Sequence, residues 1–473
     1  MSVLEHLRPE AALHYFEELC AIPHGSRDTK RISDYCVRFA QARGLRYVQD
    51  AYNNVVIYKD GTPGYENHPT VILQGHLDMV CEKEPDCDID FSKDGLRLRQ
   101  DGTCLFAEGT TLGGDDGIAV AYVLAVLDST ELAHPPLEAV FTVDEEIGML
   151  GANAMDMSVL KGRVMLNIDS EDEGILTAGC AGGATAGLTL PAQWEAASGQ
   201  AWRVRVDGLT GGHSGVEIHK GRVNANKLMG RLLSLLPEFR LAGVNGGAKD
   251  NAIPRSCEAL LVSGAPDFEE RFAAAKAQCM GKLPATEPHA KLFCEKAEAG
   301  KVLTAECTAA VLGLLLELPN GVQEMSRDIE GLVQTSLNLG ILKTTEESVA
   351  MTFSVRSSVG AEKAALTARL AGLAEKYGAA YSQSGEYPAW EYRRDSRLRE
   401  TMVGVFEELY GKKPVVDVIH AGLECGIFSD RLPGLDAVSF GPQMHDIHTS
   451  RERLELASVA RTWDYLVAVL ARL

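Results

Sequence analysis

Five short stretches concentrate residues that bind metals or move protons: His76 and Asp78 in VILQGHLD, Asp115 and Asp116 in LGGDDG, Asp144, Glu145 and Glu146 in LEAVFTVDEEIG, Asp169 with Glu171 and Asp172 in VMLNIDSEDEG, and His445, Asp446 and His448 in AVSFGPQMHDIHT. His76 and Asp78 stand two apart, so in an extended segment they point the same way. An imidazole there can bind a cation through one nitrogen while the carboxylate orients it or a ligand opposite. By itself that pair is more often a polar strand end, and the recurrence of similar clusters is what raises its meaning. Apart from the glycine-rich LGGDDG turn, every cluster closes an apolar, strand-like stretch, the place where open α/β sheets bind ligands. So many carboxylates in one place would repel unless a cation compensates.

Two histidines with several carboxylates suit zinc, with cobalt or manganese as alternatives, better than calcium or magnesium. The charge count points to two ions, since four carboxylates and two neutral imidazoles match four positive charges. One carboxylate would then bridge ions about 3.5–4 Å apart. The chemistry also needs an unbound carboxylate to take a proton from the activated water. Adjacent Glu145 and Glu146 supply a ligand and a base, and spacing alone does not say which is which. His445 competes with His448 in the same way, three residues away in one loop.

The elements that must carry these residues alternate strand and helix. Two amphipathic helices are expected over residues 10 to 45, the second capped by Ser26 or Asp28. Strands follow at 54–58, 70–74, 137–143 and 163–168, with an almost wholly apolar helix at 117–127 covered on most sides. Near Cys180 the glycine- and alanine-rich AGCAGGATAG reads as a crossing between domains. Beyond it, strands 202–207 and 258–263 and helices 223–236 and 361–377 indicate an α+β domain, and the set 331–339, 348–356 and its helix echoes the earlier one. After Trp390 the first texture returns, with strands near 415–419 and 437–440 and a closing helix from Leu456. The expected fold is therefore α/β: a mixed, mostly parallel sheet with helices on both faces, formed by residues 1–183 and 388–473. An α+β domain of two similar halves, residues 184–387, is inserted into it.

A chain of 473 residues, 45% apolar and 24% charged, is ordinary for a globular protein of two domains. The formal charge of −20 argues against nucleic acid or an anionic membrane as partner. No signal peptide or membrane-spanning run is visible, and the eleven scattered cysteines lack CxxC pairs. A cytoplasmic protein with reduced thiols is expected.

The stretches HLDMV, LGGDDGIA, DEEIGMLGA, NIDSE, GGHSG and IHTSRE occur in this order. The chain thereby resembles the dinuclear zinc peptidases that include carnosinases, carboxypeptidase G and acetylornithine deacetylase. The resemblance runs over essentially the whole chain and implies roles by position. Asp115 would bridge the ions, with His76 and Asp169 completing one site and Glu146 and His448 the other. Glu145 would be the general base, and Asp78 would orient His76. A cis peptide would join Asp115 to Asp116, the latter serving backbone geometry only. His213 would stabilise the oxyanion, Arg356 would anchor the substrate carboxylate, and Asn251 would face the substrate. Without the resemblance, His213 is an idle loop histidine, Arg356 is as readily an ordinary ion-pair partner, and Asn251 only holds a turn before Pro254. The implied activity is hydrolysis of unblocked dipeptides, Xaa-His included. The alternatives are a β-alanyl-histidine dipeptidase or an N-acyl-amino-acid deacylase built on the same ligands. A noncatalytic metal-dependent binder has no need of Glu145 as an uncoordinated base. The expected partners are a small peptide substrate and a second subunit, through the inserted domain.

Overall fold

Strand Val71–His76 is buried at every position, which requires cover on both faces of its sheet. In the computed structural model, which describes residues 3–473, that cover is present. Val71 and Leu73, with Val55, Ile57, Ala139, Phe141 and Leu166 from neighbouring strands, join one core with helices Glu10–Cys20 and Gly114–Asp128. The alternate residues Val56, Ile72, Val140 and Met165 point the other way and are no more than 2% exposed.

The sheet has eight strands in the order Arg46–Gln49, Val55–Lys59, Leu137–Thr142, Val71–His76, Val164–Asn167, Asp436–Ser439, Ile175–Cys180, Val415–Ile419. Its parallel block is the central four strands. Arg46–Gln49 and Val55–Lys59 run antiparallel on one flank, as does Ile175–Cys180 against Asp436–Ser439. The sheet is thus less parallel than the strand–helix rhythm suggests: a short turn joins Arg46–Gln49 to Val55–Lys59, and the other antiparallel pairs bring together strands remote in sequence. Residues Ile118–Leu127 of the apolar helix are all buried, and Tyr122 donates to the carbonyl of Val459 at 2.8 Å, tying it to the closing helix Leu456–Leu470. The torsions of Asp115 and Asp116 are not helical, so regular helix begins at about Gly117. A small sheet pairs Met444–His445, Arg453–Glu455, Cys104–Ala107 and Leu98–Gln100, and its first two strands form the hairpin that carries His448. Helix Lys30–Ala42 starts after Thr29 with no side-chain cap, so neither Ser26 nor Asp28 caps it.

The chain divides into two compact units, Met1–Cys180 with Tyr392–Val418 and Leu423–Leu473, and Ala181–Glu391 with Ile419–Gly422. The breaks expected at 183/184 and 387/388 fall three and four residues away, and residues 419–422 count with the second unit. The crossing read in AGCAGGATAG lies where the units divide, between Cys180 and Ala181, with strand Ile175–Cys180 ending there and Gly182–Pro191 beginning just after.

The second unit is built on a nine-stranded antiparallel sheet. One half runs strand Gln200–Asp207, helix Ala225–Leu233, strands Arg240–Gly246 and Cys257–Ser263, helix Phe268–Met280, strand Lys291–Ala297. The other runs strand Gly182–Pro191, helix Ala305–Glu317, strands Val333–Thr344 and Ser348–Ser357, helix Gly360–Lys376, strand Ala380–Tyr387. Strand order is mirrored about the junction of Arg240–Gly246 with Val333–Thr344. The second half takes its first strand from before the first half in sequence, so the halves interlock and a search for a tandem repeat sees only part of the echo. Among the described residues no helix is long and apolar enough to cross a membrane.

Leu73 is fully buried in the first core. Leu73→Ala is expected to lower unfolding stability by about 2–5 kcal/mol, read from urea denaturation. A loss below about 0.5 kcal/mol would contradict the packing described.

Candidate metal centre

His76 is the last residue of its strand and is 1% exposed. Its Nδ1–H donates to the main-chain carbonyl of Asp78 at 2.9 Å, which leaves Nε2 to face Asp115 Oδ1 at 3.1 Å and Asp169 Oδ1 at 3.9 Å. The other oxygen of Asp115 lies 3.1 Å from Nε2 of His448, and that nitrogen is also 3.0 Å from Glu146. One carboxylate therefore stands between two imidazoles, each with a further carboxylate beside it. Asp144 and His448 have φ of 55° and 59°, the left-handed region that costs a residue with a Cβ about 1–2 kcal/mol. The Asp115–Asp116 peptide is cis.

Asp78, expected to orient His76, meets its Nδ1 through the main-chain carbonyl, and its side chain has further partners. The Asp78 carboxylate accepts from Glu145 N at 3.0 Å, from Glu146 N at 3.4 Å and from Ser26 Oγ at 2.8 Å, with His76 Nδ1 at 3.6 Å. It thus holds the loop that presents both glutamates. Asp116 does more than shape the backbone. Its Oδ2 accepts from His76 N at 3.2 Å, its Oδ1 is buried without a partner, and its donor atoms group with those of His76 and Asp169. A Cβ on Gly75 would sit 2.6 Å from Asp116 Oδ2, so the glycine in QGH admits this carboxylate. Glu424, absent from the candidates read in the sequence, is fully buried and accepts from Gln74 Nε2 and Thr142 Oγ1, both at 2.6 Å. Both donors precede ligand-bearing stretches, a relation no spacing rule reveals. His445 has an exposed position on the hairpin.

Burial and mutual repulsion dominate the electrostatics. Burial, helped by the charges of Glu424, Glu146 and Asp115, raises Glu145 to about 8 against the pull of His76. Burial likewise pushes Asp169 well above the usual carboxylate range, with Asp116, Asp115 and Glu145 adding to it. Burial opposes a charge on His76, yet hydrogen bonds to Asp115 and Asp78 carry its pKa well above the ordinary value. Hydrogen bonds to Asp115 and Glu146 lift His448 to about 10. Asp115 itself, buried but paired with both imidazoles, is held below the usual range. The cluster calls for positive charge that two imidazoles supply only by taking protons. Its donor atoms lie within 4.8 Å of one another in two groups, His76–Asp116–Asp169 and His76–Asp115–Glu146. Imidazole nitrogens and carboxylate oxygens at that density fit divalent cations.

The three remaining candidates belong to the second unit. His213 pairs with Ala252 across a two-residue ladder, and its Nδ1 accepts from Gly215 N at 3.1 Å and Val216 N at 3.3 Å. The ring proton is thereby placed on Nε2, and burial together with the charge of Arg356 lowers the pKa and keeps the ring neutral. Arg356 donates to Tyr387 Oη at 3.0 Å, while its buried Nε has no partner. His420, left unassigned in the sequence, hydrogen-bonds Ser336 Oγ at 2.7 Å and is lowered to about 4 by burial and by Arg356. Asn251 is exposed and its carbonyl accepts from Ser214 N at 2.8 Å, so the backbone here holds the His213 turn.

The family model described as peptidase family M20/M25/M40 matches residues 72–472. The chain belongs to this family. As a member it is a peptide hydrolase, and the resemblance carried by HLDMV, LGGDDGIA and the later stretches is confirmed. The chain is 36% identical over 479 residues to the cytosol non-specific dipeptidase of Escherichia coli, covering 99% of each. It also superposes on the aminoacylhistidine dipeptidase of Vibrio alginolyticus with a TM-score of 0.95 at 38% identity, covering 100% of this chain and 98% of that one. The aminopeptidase PepT of Bacillus cereus shares the fold, with a TM-score of 0.58 at 15% identity over 98% of both chains.

Titration of the centre predicts a pH dependence. The folded pKa of His448, about 10, exceeds its ordinary 6.5, so the stability it contributes is full below pH 6.5 and is lost as pH rises through about 10. Glu145, raised from 4.5 to about 8, slopes the same way over a lower window, while Asp115 acts only in acid. The unfolding free energy of chelator-stripped protein should fall between about pH 6 and about pH 9, and saturating zinc should remove the fall, because the bound donors are deprotonated. A flat or rising profile in the stripped protein would contradict these assignments.

Proposed function

We propose that this chain is a metal-dependent dipeptidase that hydrolyses unblocked dipeptides, Xaa-His among them. The observation that carries the reading is Asp115 with one oxygen 3.1 Å from His76 and the other 3.1 Å from His448, in a chain alike over its full length to a protein named as a dipeptidase. Two divalent cations would be held, zinc or in its place cobalt or manganese. His76 and Asp169 would hold one, Glu146 and His448 the other, and Asp115 both. When bound, such ions polarise a carbonyl and make water acidic enough to react near neutral pH.

The chain's own residues supply the rest. Glu145, buried and high in proton affinity, accepts the proton of the attacking water and returns it to the leaving amine. Asp78 keeps the Glu145–Glu146 loop in register by accepting its main-chain N–H groups. His213, neutral with its proton on Nε2, is a hydrogen-bond donor suited to the oxyanion, a role worth about 2.7–4 kcal/mol of barrier. Arg356 keeps an unpaired Nε for the C-terminal carboxylate of the substrate, a bidentate task that suits guanidinium, and Asn251 adds a polar contact to the substrate. The reading includes a cytoplasmic location and a homodimer formed through the second unit.

Glu145→Ala should cut kcat by about 10²–10⁴-fold with bound metal retained, and a loss within a few-fold would remove the base assignment. Arg356→Ala should lower kcat/KM for dipeptides while leaving C-terminally amidated analogues, poor substrates from the start, unchanged. On a panel of Xaa-His, β-alanyl-His and N-acetyl amino acids, Xaa-His should turn over fastest. A lead for N-acetyl amino acids would make the chain a deacylase on the same ligands.

A further inference from the structure

Glu452 closes the hairpin of His448, four residues beyond it, and is 2% exposed. Its hydrogen-bond partners are main-chain N–H groups of the glycine-rich turn. Oε2 accepts from Leu112 N at 2.7 Å and Gly113 N at 3.1 Å, and Oε1 from Gly114 N at 2.8 Å and Asp115 N at 3.4 Å. Four consecutive N–H groups converge because Gly113 takes a left-handed φ of 67°, which curls the turn into a concave anion cradle. Such cradles commonly receive a ligand's phosphate or carboxylate. Here the chain fills the cradle itself, from a residue 337–340 positions away. An ionised carboxylate offers about four lone-pair sites, and each of the four N–H groups takes one. A Cβ on Gly114 would come within 3.1 Å of Oε1, so the second glycine of LGGDDG admits the carboxylate.

We propose that Glu452 is a positioning residue of the metal centre. Its carboxylate fastens the turn Leu112–Asp115 to the hairpin of His448, and so sets the spacing at which Asp115 meets His448. Two ligands remote in sequence are braced by one buried side chain that touches neither substrate nor cation. The inference rests on the reading of Asp115 and His448 as ligands.

A brace of this kind governs metal affinity, whereas a carboxylate that only satisfies a buried turn governs folding stability. The full-length chain loaded with zinc is challenged with a chromophoric chelator, as wild type, Glu452→Gln, Gly114→Ala and Asp115→Ala, with thermal unfolding measured on each stripped protein. Glu452→Gln keeps the size of the side chain but turns an amide NH₂ toward N–H donors. It should weaken zinc binding by about 10–100-fold, with kcat falling and KM for a dipeptide held within about threefold. Gly114→Ala keeps the carboxylate and crowds Oε1, and should weaken zinc in the same direction. If Glu452→Gln does not fold, Gly114→Ala decides. Zinc affinity and kcat unchanged in the folded variants, whatever the melting temperature does, overturn the proposal. Asp115→Ala separates the two levels. Its loss of zinc beside an unmoved Glu452→Gln refutes the brace alone, and its retention of zinc refutes the ligand reading together with the brace.

Discussion

Negative charge crowded into a dry place is the constraint on which the first unit depends. Asp115, Asp116, Asp169, Glu145 and Glu146 gather at the ends of the central strands, and among the described residues His76 and His448 oppose them within hydrogen-bond reach. Left to themselves, like charges at this density would separate or take up protons; burial first, and the neighbouring carboxylates after it, raise the pKa values of Glu145 and Asp169. A cation meets the demand without protons, and because each donor must then be unprotonated, cation binding, proton release and stability become one linked equilibrium.

The scaffold resists that repulsion by using further carboxylates, aimed at backbone N–H groups or at neutral side-chain donors and not at cations. Asp78 holds the Glu145–Glu146 loop. Glu452 holds the turn of Asp115, and Glu424 joins Gln74 to Thr142 beneath the strand ends. Glu138 does the same further back, accepting from Lys161 N and Gly162 N ahead of the strand that leads to Asp169. Oriented amides stabilise a buried anion at no cost in net positive charge. The site can therefore be rigid and remain strongly electronegative, which a framework of lysines and arginines would not allow.

The second unit follows the opposite logic. His213 is kept neutral by burial and by Arg356, and its proton is placed on one nitrogen by two backbone donors. His420 is neutral for the same reasons, and Arg356 is a cation acting on both rings, steadied by Tyr387 through one nitrogen with another left unpaired.

The sequence by itself determined the ligand types, the strand ends that bear them and the family, because each of these is local: an apolar run breaking at a His or an Asp is visible in a few residues. The apolar helix was legible for the same reason, since ten consecutive buried residues, Ile118–Leu127, leave no polar face. What only the tertiary structure decided are relations between remote segments. These include the service of Asp78 to the glutamate loop, the inward turn of the Asp116 carboxylate past Gly75, the antiparallel flanks of the sheet and the interlocked halves of the second unit. In one dimension a buried carboxylate that accepts four N–H groups is indistinguishable from a solvated surface acid, and Glu452 in TSRER reads as the latter. The difference lies in which backbone atoms arrive opposite it, and that is settled by how strands more than three hundred residues apart are brought side by side.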